Sequence, residues 1–384
     1  MLMIEFWAKV AAGPRCGAPA NPSSTKSSAD RDCFTKAAFR MTHLTLPCRA
    51  TLHTAMSSPQ PTHVQVLLAT YNGERFLREQ IDSILDQTYR DVSILARDDG
   101  SSDSTPAILS DYSSRFPGQF SVLPTDAASG SPRANFARLI SASGAPYLAF
   151  ADQDDVWLTD KLEWSMAAMR RMEQQYSLEV PLLVFSDLTV VDQALNQLQP
   201  SFWAQQNIKP DNVRYFPRLL TQNVATGCTM LFNQSLARLA SPMPPGVFMH
   251  DWWVALLAAG FGHACAIPAQ TVLYRQHDRN VIGAVGHARV IGIPRWRYHE
   301  KRREQWEMIA HQAEALLALY GDILPGQHRS TLEAVVRCER HPSRWVRARN
   351  YVQHGFRFDR LRASLAILWY LWDMEHAKSS NSTD

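Results

Sequence analysis

Three stretches of this chain gather carboxylates, amides and hydroxyls just where an apolar run ends. They are Thr70-Tyr71-Asn72-Gly73-Glu74, Asp98-Asp99-Gly100-Ser101-Ser102-Asp103 and Asp152-Gln153-Asp154-Asp155. Each alone has an ordinary structural account, because Asn-Gly and Asp-Gly form turns and Asp103, Ser104 or Thr105 would cap a helix. Together they call for a cation, since carboxylates brought side by side repel one another unless a positive charge joins them. Asp152 and Asp154 are two residues apart at a strand end, so in extended backbone both side chains project the same way. Such a pair suits oxygen ligation of Mg2+ or Mn2+, an ion whose open positions hold diphosphate oxygens and which neutralises the charge on a departing nucleoside diphosphate.

Bringing three such clusters together takes alternating strands and helices. VQVLLAT (64–70) is an apolar, β-branched run of strand length, and Leu77, Ile81, Ile84 and Leu85 follow at helical spacing. VSILARD (92–98) is the next strand, and Thr105-Pro106 reads as an N-cap ahead of a proline at the first helical position. Further strands are expected at 120–124 and 147–152, with helices at 134–141 and around Leu162, Met166 and Met169. This order predicts a mostly parallel sheet with right-handed crossovers, whose ligands bind beyond the carboxyl ends of the strands. After about residue 180 the pattern turns mixed, with strand-like PLLVFSD, GCTMLFN and AIPAQTVLYRQH and a helix opening at Asp251.

These residues resemble a known family. ATYNGERFL, a strand ending in DDGSSDST, and LAFADQDDVW are similar to family 2 inverting glycosyltransferases of the GT-A fold. ADQDDVWL, GCTMLFN, MHDWW and YRQHDRNVIGA resemble the bacterial rhamnosyltransferase-type branch. The likeness covers roughly residues 63–285. It implies a Rossmann-like, mostly parallel sheet with a mixed acceptor lobe. It also implies a nucleotide pocket lined by Thr70, Tyr71, Asn72 and Glu74, with Asp99 accepting the pyrimidine N3 proton, a contact adenine lacks. Asp98 is its neighbour there. Asp152 and Asp154 match the family's DxD, the last aspartate on the metal and the first on ribose or metal, with Asp155 a cap or supporting group.

Arg133 and Asn135 match positions that contact the nucleotide sugar, and Arg275, Gln276 and His277 a loop that closes over the diphosphate. Asp251 matches the general base, with Trp252 and Trp253 walling the site or stacking on a sugar; read without the family, Asp251 is an N-cap and the tryptophans are core. His250 reads as a hydrogen-bonding neighbour. The QxxRW string of processive synthases is missing, so one sugar per encounter is expected.

The implied reaction moves a sugar, L-rhamnose from dTDP-L-rhamnose, or a hexose from a UDP-sugar, onto a surface polysaccharide or a lipid-linked glycan. From other classes, the same acidic ends would suit a metal-dependent phosphohydrolase, or a sugar-nucleotide binder that has lost catalysis.

Composition sets the outer bounds. The chain has 384 residues, 46% hydrophobic and 20% charged, with 39 basic side chains against 36 acidic, which excludes a disordered, collagenous or disulfide-knot protein. A net charge of +3 argues against nucleic acid as a partner. Six scattered cysteines without a CxxC pair, a poor secretory signal and no apolar run of membrane-spanning length lead to a cytoplasmic expectation. Residues 1–60 read as a disordered leader with Met56 an alternative start, 61–288 as the transferase domain, and 289–384 as a helical region rich in Trp and Arg. Residues 289–362 hold 15 Lys or Arg against 8 Asp or Glu. That region reads either as a bundle packed on the catalytic lobe or as a basic amphipathic surface at the inner face of the plasma membrane.

Overall fold

A computed structural model describes residues 62–125, 127–277, 295–356 and 364–372. The leader and Met56 lie outside these residues, as does the YRQHDRN stretch beyond His277.

Strands β1 (Val64–Thr70), β2 (Val92–Asp98), β3 (Phe120–Val122) and β4 (Tyr147–Asp152) are parallel and ordered β3-β2-β1-β4. Helices α1 (Leu77–Leu85), α2 (Thr105–Arg115) and α3 (Pro132–Ala142) make the crossovers. Beyond β4 come β5 (Val156–Trp157), α4 (Lys161–Tyr176), β6 (Leu182–Val191), β7 (Gln197–Gln199), α5 (Phe202–Gln206), α6 (Phe216–Thr221), β8 (Leu231–Asn233), α7 (Gln234–Ala240), α8 (His250–Phe261) and β9 (His263–Arg275). The sheet continues β4-β8-β6-β9-β5, with β8 antiparallel to both neighbours and β6 parallel to β9. The parallel half and the mixed half are those the sequence pattern led us to expect.

Successive side chains of the central strands feed two cores. Leu67, Leu95, Leu148 and Phe150 enter one, and Val66, Leu68, Ile94, Ala149 and Ala151 the other. Strands covered on both faces must be apolar throughout, which is why VQVLLAT and YLAFAD read as unbroken runs. Strand register then sets the site. Thr70 lies beside Asp98 on β2, and Ala69 beside Asp152 on β4. The three polar strand ends are therefore neighbours at one rim of the sheet.

Two local expectations change. GCTMLFN is not a strand throughout: Gly227–Thr229 form a 3-10 turn and only Leu231–Asn233 pair in the sheet. The turn is held by Thr229 Oγ donating to Thr226 O and by Gly227 N–H donating to Asp251. Thr105 does not cap α2 either. It is the first helical residue, its N–H donating to Asp103 Oδ1, while its Oγ1 accepts the N–H of Gly73. A residue read as a helix cap instead ties the β1 loop to the β2 loop.

The C-terminal helices α9 (Arg295–Tyr320), α10 (Gly326–Arg340), α11 (Arg344–Gln353) and a last helical stretch at 364–372 join the first core. Trp306, Leu332, Val335, Ile367 and Leu371 are fully buried in it alongside Phe136, Phe150 and Trp253. These helices thus pack on the catalytic half through that core. Among the described residues no helix is long and apolar enough to cross a membrane.

Candidate active site

A cleft of about 1770 Å³ opens at the rim where β1, β2 and β4 end. Thr70, Tyr71, Asn72, Glu74, Asp99, Asn135, Asp152, Asp154, Asp251, Trp252 and His277, all singled out from the sequence, line it.

The β1 and β2 loops brace each other before any ligand arrives. Asn72 has φ 49°, a left-handed conformation that asparagine tolerates, and its Oδ1 accepts the N–H of Ser102 (2.8 Å). Glu74 Oε2 accepts the N–H of Ser104 (3.0 Å), and Asp103 returns the contact by accepting Glu74 N–H (3.1 Å). Asp99 is buried at the mouth of this end. Burial would raise its carboxyl, but hydrogen bonds from Ser129, Arg97 and Gly130 outweigh that and hold it below the usual carboxylate range. It is a fixed, ionised acceptor. Arg97, which the sequence reading passed over, donates both to Asp99 (3.0 Å) and to Asn135 Oδ1 (2.8 Å). A charged residue inside a strand gives no sequence signal of that task.

Three expected contacts are not at the cleft. Asp98 turns into its own loop, accepting the N–H of Gly100 and Ser101 and the hydroxyls of Thr70 and Ser101. Arg133 reaches away to donate to Pro244 O (3.3 Å). Arg275 is 1% exposed, donating to Asp154 O (2.8 Å), Gln193 O (2.5 Å) and Glu79 Oε2 (2.6 Å), with its guanidinium over Phe76. Buried and so engaged, Arg275 braces the Asp154–Asp155 loop and does not line the cleft. Gln276 is likewise taken up with β6 and with backbone, its N–H donating to Val191 O (2.8 Å). Of that loop, His277 meets the cleft. Its Nε2 lies 2.8 Å from Asp154 Oδ2 and its ring stacks on Phe76.

Asp152 sits partly buried at the end of β4. Burial, then Asp154 and Asp251, push its carboxyl up to about 7. Asp155 is fully buried behind it, accepts Arg275 N–H (3.1 Å), and is raised well above the usual range by burial and by Asp154 and Asp152. Carboxylate oxygens of Asp152 and Asp155 and the sulfur of Cys228 lie within 4.8 Å of one another. Burial raises the Cys228 thiol too, and a neutral thiol is a weak ligand for a hard cation. Asp152 and Asp154, with the His277 imidazole alongside, are the better donor set for Mg2+ or Mn2+. The charge balance fits: Glu74, Asp99, Asp103, Asp152, Asp154 and Asp251 line the cleft, and Arg75 is the one guanidinium among the described lining residues. A diphosphate entering such a cleft needs added positive charge.

Asp251 is not an N-cap. The cap position of α8 is Met249, which makes no side-chain cap bond, and Asp251 is the second helical residue. Its Oδ1 accepts Trp252 N–H (2.6 Å) and its Oδ2 accepts Gly227 N–H (3.2 Å). Burial nevertheless raises its carboxyl to about 6, since those N–H donors only partly offset the lost hydration. Trp252 is 6% exposed and donates from its indole to Leu219 O (2.7 Å), so it frames the cleft without offering a ring face. His250 is not a hydrogen-bonding neighbour. Both ring nitrogens lack hydrogen-bond partners, the ring stacks 3.9 Å from Phe136, and burial lowers it to about 3, leaving it neutral.

Two residues that the sequence reading left unassigned organise the centre. Gln153 pairs reciprocally with the Tyr71 backbone, accepting its N–H (2.8 Å) and donating to its carbonyl (2.9 Å). Gly227 leaves the space beside His250 and Asp251, where a Cβ would stand 3.0 Å from His250 Nε2.

The model of Glycosyl transferase family 2 matches residues 65–238. The chain is 29% identical over 230 residues to the dTDP-rhamnosyl transferase RfbG of Shigella flexneri, covering 56% of this chain and 74% of that protein. It is 27% identical over 197 residues to the UDP-Glc:alpha-D-GlcNAc-diphosphoundecaprenol beta-1,3-glucosyltransferase WfgD of Escherichia coli, covering 50% and 69%. Among solved structures, S. aureus TarS 1-349 aligns with a TM-score of 0.50 at 13% identity, over 83% of this chain and 92% of that one, a likeness of fold. The acidic strand ends of a GT-A sheet and the match over 65–238 lead to one conclusion: the chain is a glycosyltransferase that carries a glycosyl transferase family 2 domain over residues 65–238.

Proposed function

We propose that the chain is a metal-dependent, inverting transferase that moves L-rhamnose from dTDP-L-rhamnose onto a hydroxyl of a surface glycan or lipid-linked glycan. The observation that carries the reading is the partition of carboxylates within one cleft. Asp152 and Asp154 gather where β4 ends, and Asp251, separately held and raised to about 6, lies on α8. Asp152 and Asp154, helped by His277, would hold Mg2+ or Mn2+, which when bound supplies charge to the departing diphosphate. Thr70, Tyr71, Asn72 and Asp99 would hold the pyrimidine nucleoside. Asp251 takes the proton of the acceptor hydroxyl as that oxygen bonds to the anomeric carbon. The bond from that carbon to the diphosphate breaks, and its electron pair leaves with dTDP.

The donor rests on the likeness to the relative named a dTDP-rhamnosyl transferase. The likeness to one named for UDP-Glc supports a UDP-hexose as a second reading. Thermal-shift titration with dTDP, UDP, GDP and ADP, each with Mn2+ or with EDTA, tests both, because a ligand that binds only the folded chain stabilises it. Metal-dependent stabilisation by dTDP above UDP is expected, and Asp154→Ala should abolish the metal dependence. Equal response to all four nucleotides, or none, would remove the pyrimidine donor.

A further inference from the structure

Behind the floor of the cleft lie buried donors that the proposed reaction leaves unused. Asp155 and Cys228 are fully buried. Asp155 Oδ1 accepts Arg275 N–H, while its Oδ2 has no hydrogen-bond partner among the described residues. A buried carboxylate oxygen without a partner costs stability, so its presence points to a ligand. Beside that carboxyl lies the Cys228 thiol, itself only a weak donor. One carboxylate oxygen from each of Asp152 and Asp155 and the Cys228 sulfur lie within 4.8 Å of one another. We propose that Asp152, Asp155 and Cys228 form a second cation site, distinct from the Asp152–Asp154–His277 set, that takes a thiophilic divalent ion such as Zn2+.

Two separate parts of the chain build this group. Asp152 ends β4 and Asp155 follows it, and the 3-10 turn Gly227–Thr229, just ahead of β8, seats Cys228 against them. Asp152 is partly exposed and lines the cleft, so an entering ion meets it first. Zn2+ stands about 2.0–2.2 Å from a carboxylate oxygen and about 2.3 Å from a thiolate sulfur, and a small turn of the Asp152 side chain closes the present spacing onto such an ion. Mg2+ and Mn2+ favour oxygen ligands, so the sulfur is what separates the two sites. Binding breaks the S–H bond: the proton leaves to solvent through the cleft, and the electron pair stays on sulfur to bond the ion. The charges then balance. Two carboxylates and a thiolate bring three negative charges, the ion removes two, and the ammonium of Lys161 offsets the third. Lys161 is fully buried, its charge acts on Cys228, and it stands over the Trp157 ring at 3.9 Å with no hydrogen-bond partner among the described residues. The site itself does not depend on the transferase reading. What rests on that reading is its consequence: Zn2+ takes Asp152 away from the Mg2+ or Mn2+ set and so blocks metal-dependent nucleotide binding.

Titration of the full chain with Cd2+, a spectroscopic stand-in for Zn2+, under a phosphine reductant tests the site. A thiolate-to-cadmium charge-transfer band should saturate, vanish in Cys228→Ala and persist in Cys265→Ala. Asp155→Asn should keep the band but lower Cd2+ affinity by about tenfold or more, as loss of even a supporting group does at a metal site. Should Cys228→Ala fail to fold, as judged by its melting curve, Asp155→Asn carries the comparison. Cd2+ binding without the band would put the ion at Asp154 and His277, and a band indifferent to Cys228→Ala would put it on another cysteine. Either result overturns the site, as would no Cd2+ binding or an affinity unmoved by Asp155→Asn. The consequence is read by thermal shift. Zn2+ should cancel the stabilisation that dTDP gives with Mn2+ in the parent chain and leave it intact in Cys228→Ala. A parent chain that shows the cadmium band yet keeps that stabilisation in Zn2+ would overturn the coupling alone, whereas failure of dTDP and UDP to bind with any metal would strike the transferase reading and not the cation site.

Discussion

Asp251 and Asp152 are the same residue type in one cleft, and burial raises both, but Asp152 also carries the push of neighbouring carboxylates. Asp152 is raised to about 7 by burial and by its carboxylate neighbours, a repulsion that a bound cation would relieve. Asp251 is raised to about 6 chiefly by burial, which a cation at the β4 end leaves in place. A general base works only when deprotonated, so at saturating Mn2+ kcat/KM should climb as pH rises through about 6 and level off above it. A pH profile checks this, and a limb far from 6 would assign the base to another group. Asp251→Asn should lower turnover by roughly 10²-fold or more while metal-dependent dTDP binding persists; single-turnover kinetics beside calorimetry separates the two effects.

At the scale of elements, what matters is that the β1 loop is tied to both neighbours. Thr105 Oγ1 holds Gly73 from α2, and Gln153 holds Tyr71 from the β4 end. The proposed pyrimidine pocket and the proposed metal loop are therefore coupled through Gln153. A Cβ at Gly73 would stand 2.3 Å from Gln153 Oε1, far inside contact distance. Gly73→Ala should force Gln153 off Tyr71 and give up two hydrogen bonds of about 1 kcal/mol each. We expect at least a tenfold loss of dTDP affinity by calorimetry, with a melting point a few degrees below the parent's. Gln153→Ala should match it, and an unaffected affinity in both would mean that the latch does not serve the nucleotide.

At the scale of the whole molecule, the first of the two cores is extended by the described C-terminal helices. Trp306 is fully buried against Tyr351 and Phe356, within the cluster that also holds Phe150 and Trp253. Trp306→Ala should cost about 3–5 kcal/mol, a large share of the roughly 5–15 kcal/mol that holds an ordinary domain. Calorimetry should show that substitution lowering one transition for transferase domain and helices together. A separate early transition for the helices would contradict the shared core. Outside that core, Trp345 and Trp369 remain 50% and 45% exposed, and with the basic surplus of 289–362 they support a peripheral membrane contact. Cosedimentation with phosphatidylglycerol vesicles should be detectable at low salt and lost in Trp345→Ala/Trp369→Ala. Indifference to both salt and substitution would leave these tryptophans without that role.

Sequence alone was enough for the alternation of strands and helices, the three acidic strand ends and the family likeness. These depend on local periodicity and on residues only a few positions apart. It could not tell which side chains at those ends meet a ligand. Asp98 and Asp99 are adjacent in the chain, yet one folds back into its own turn and the other lines the cleft. Arg275 and His277 are two apart on one strand end, and the first is enclosed while the second meets Asp154. Gln153 stands in view between two aspartates, but its task could not be read, because its partner Tyr71 lies 82 positions away. Where each side chain points depends on strand register and on which helix covers it, and only the packed structure fixes those.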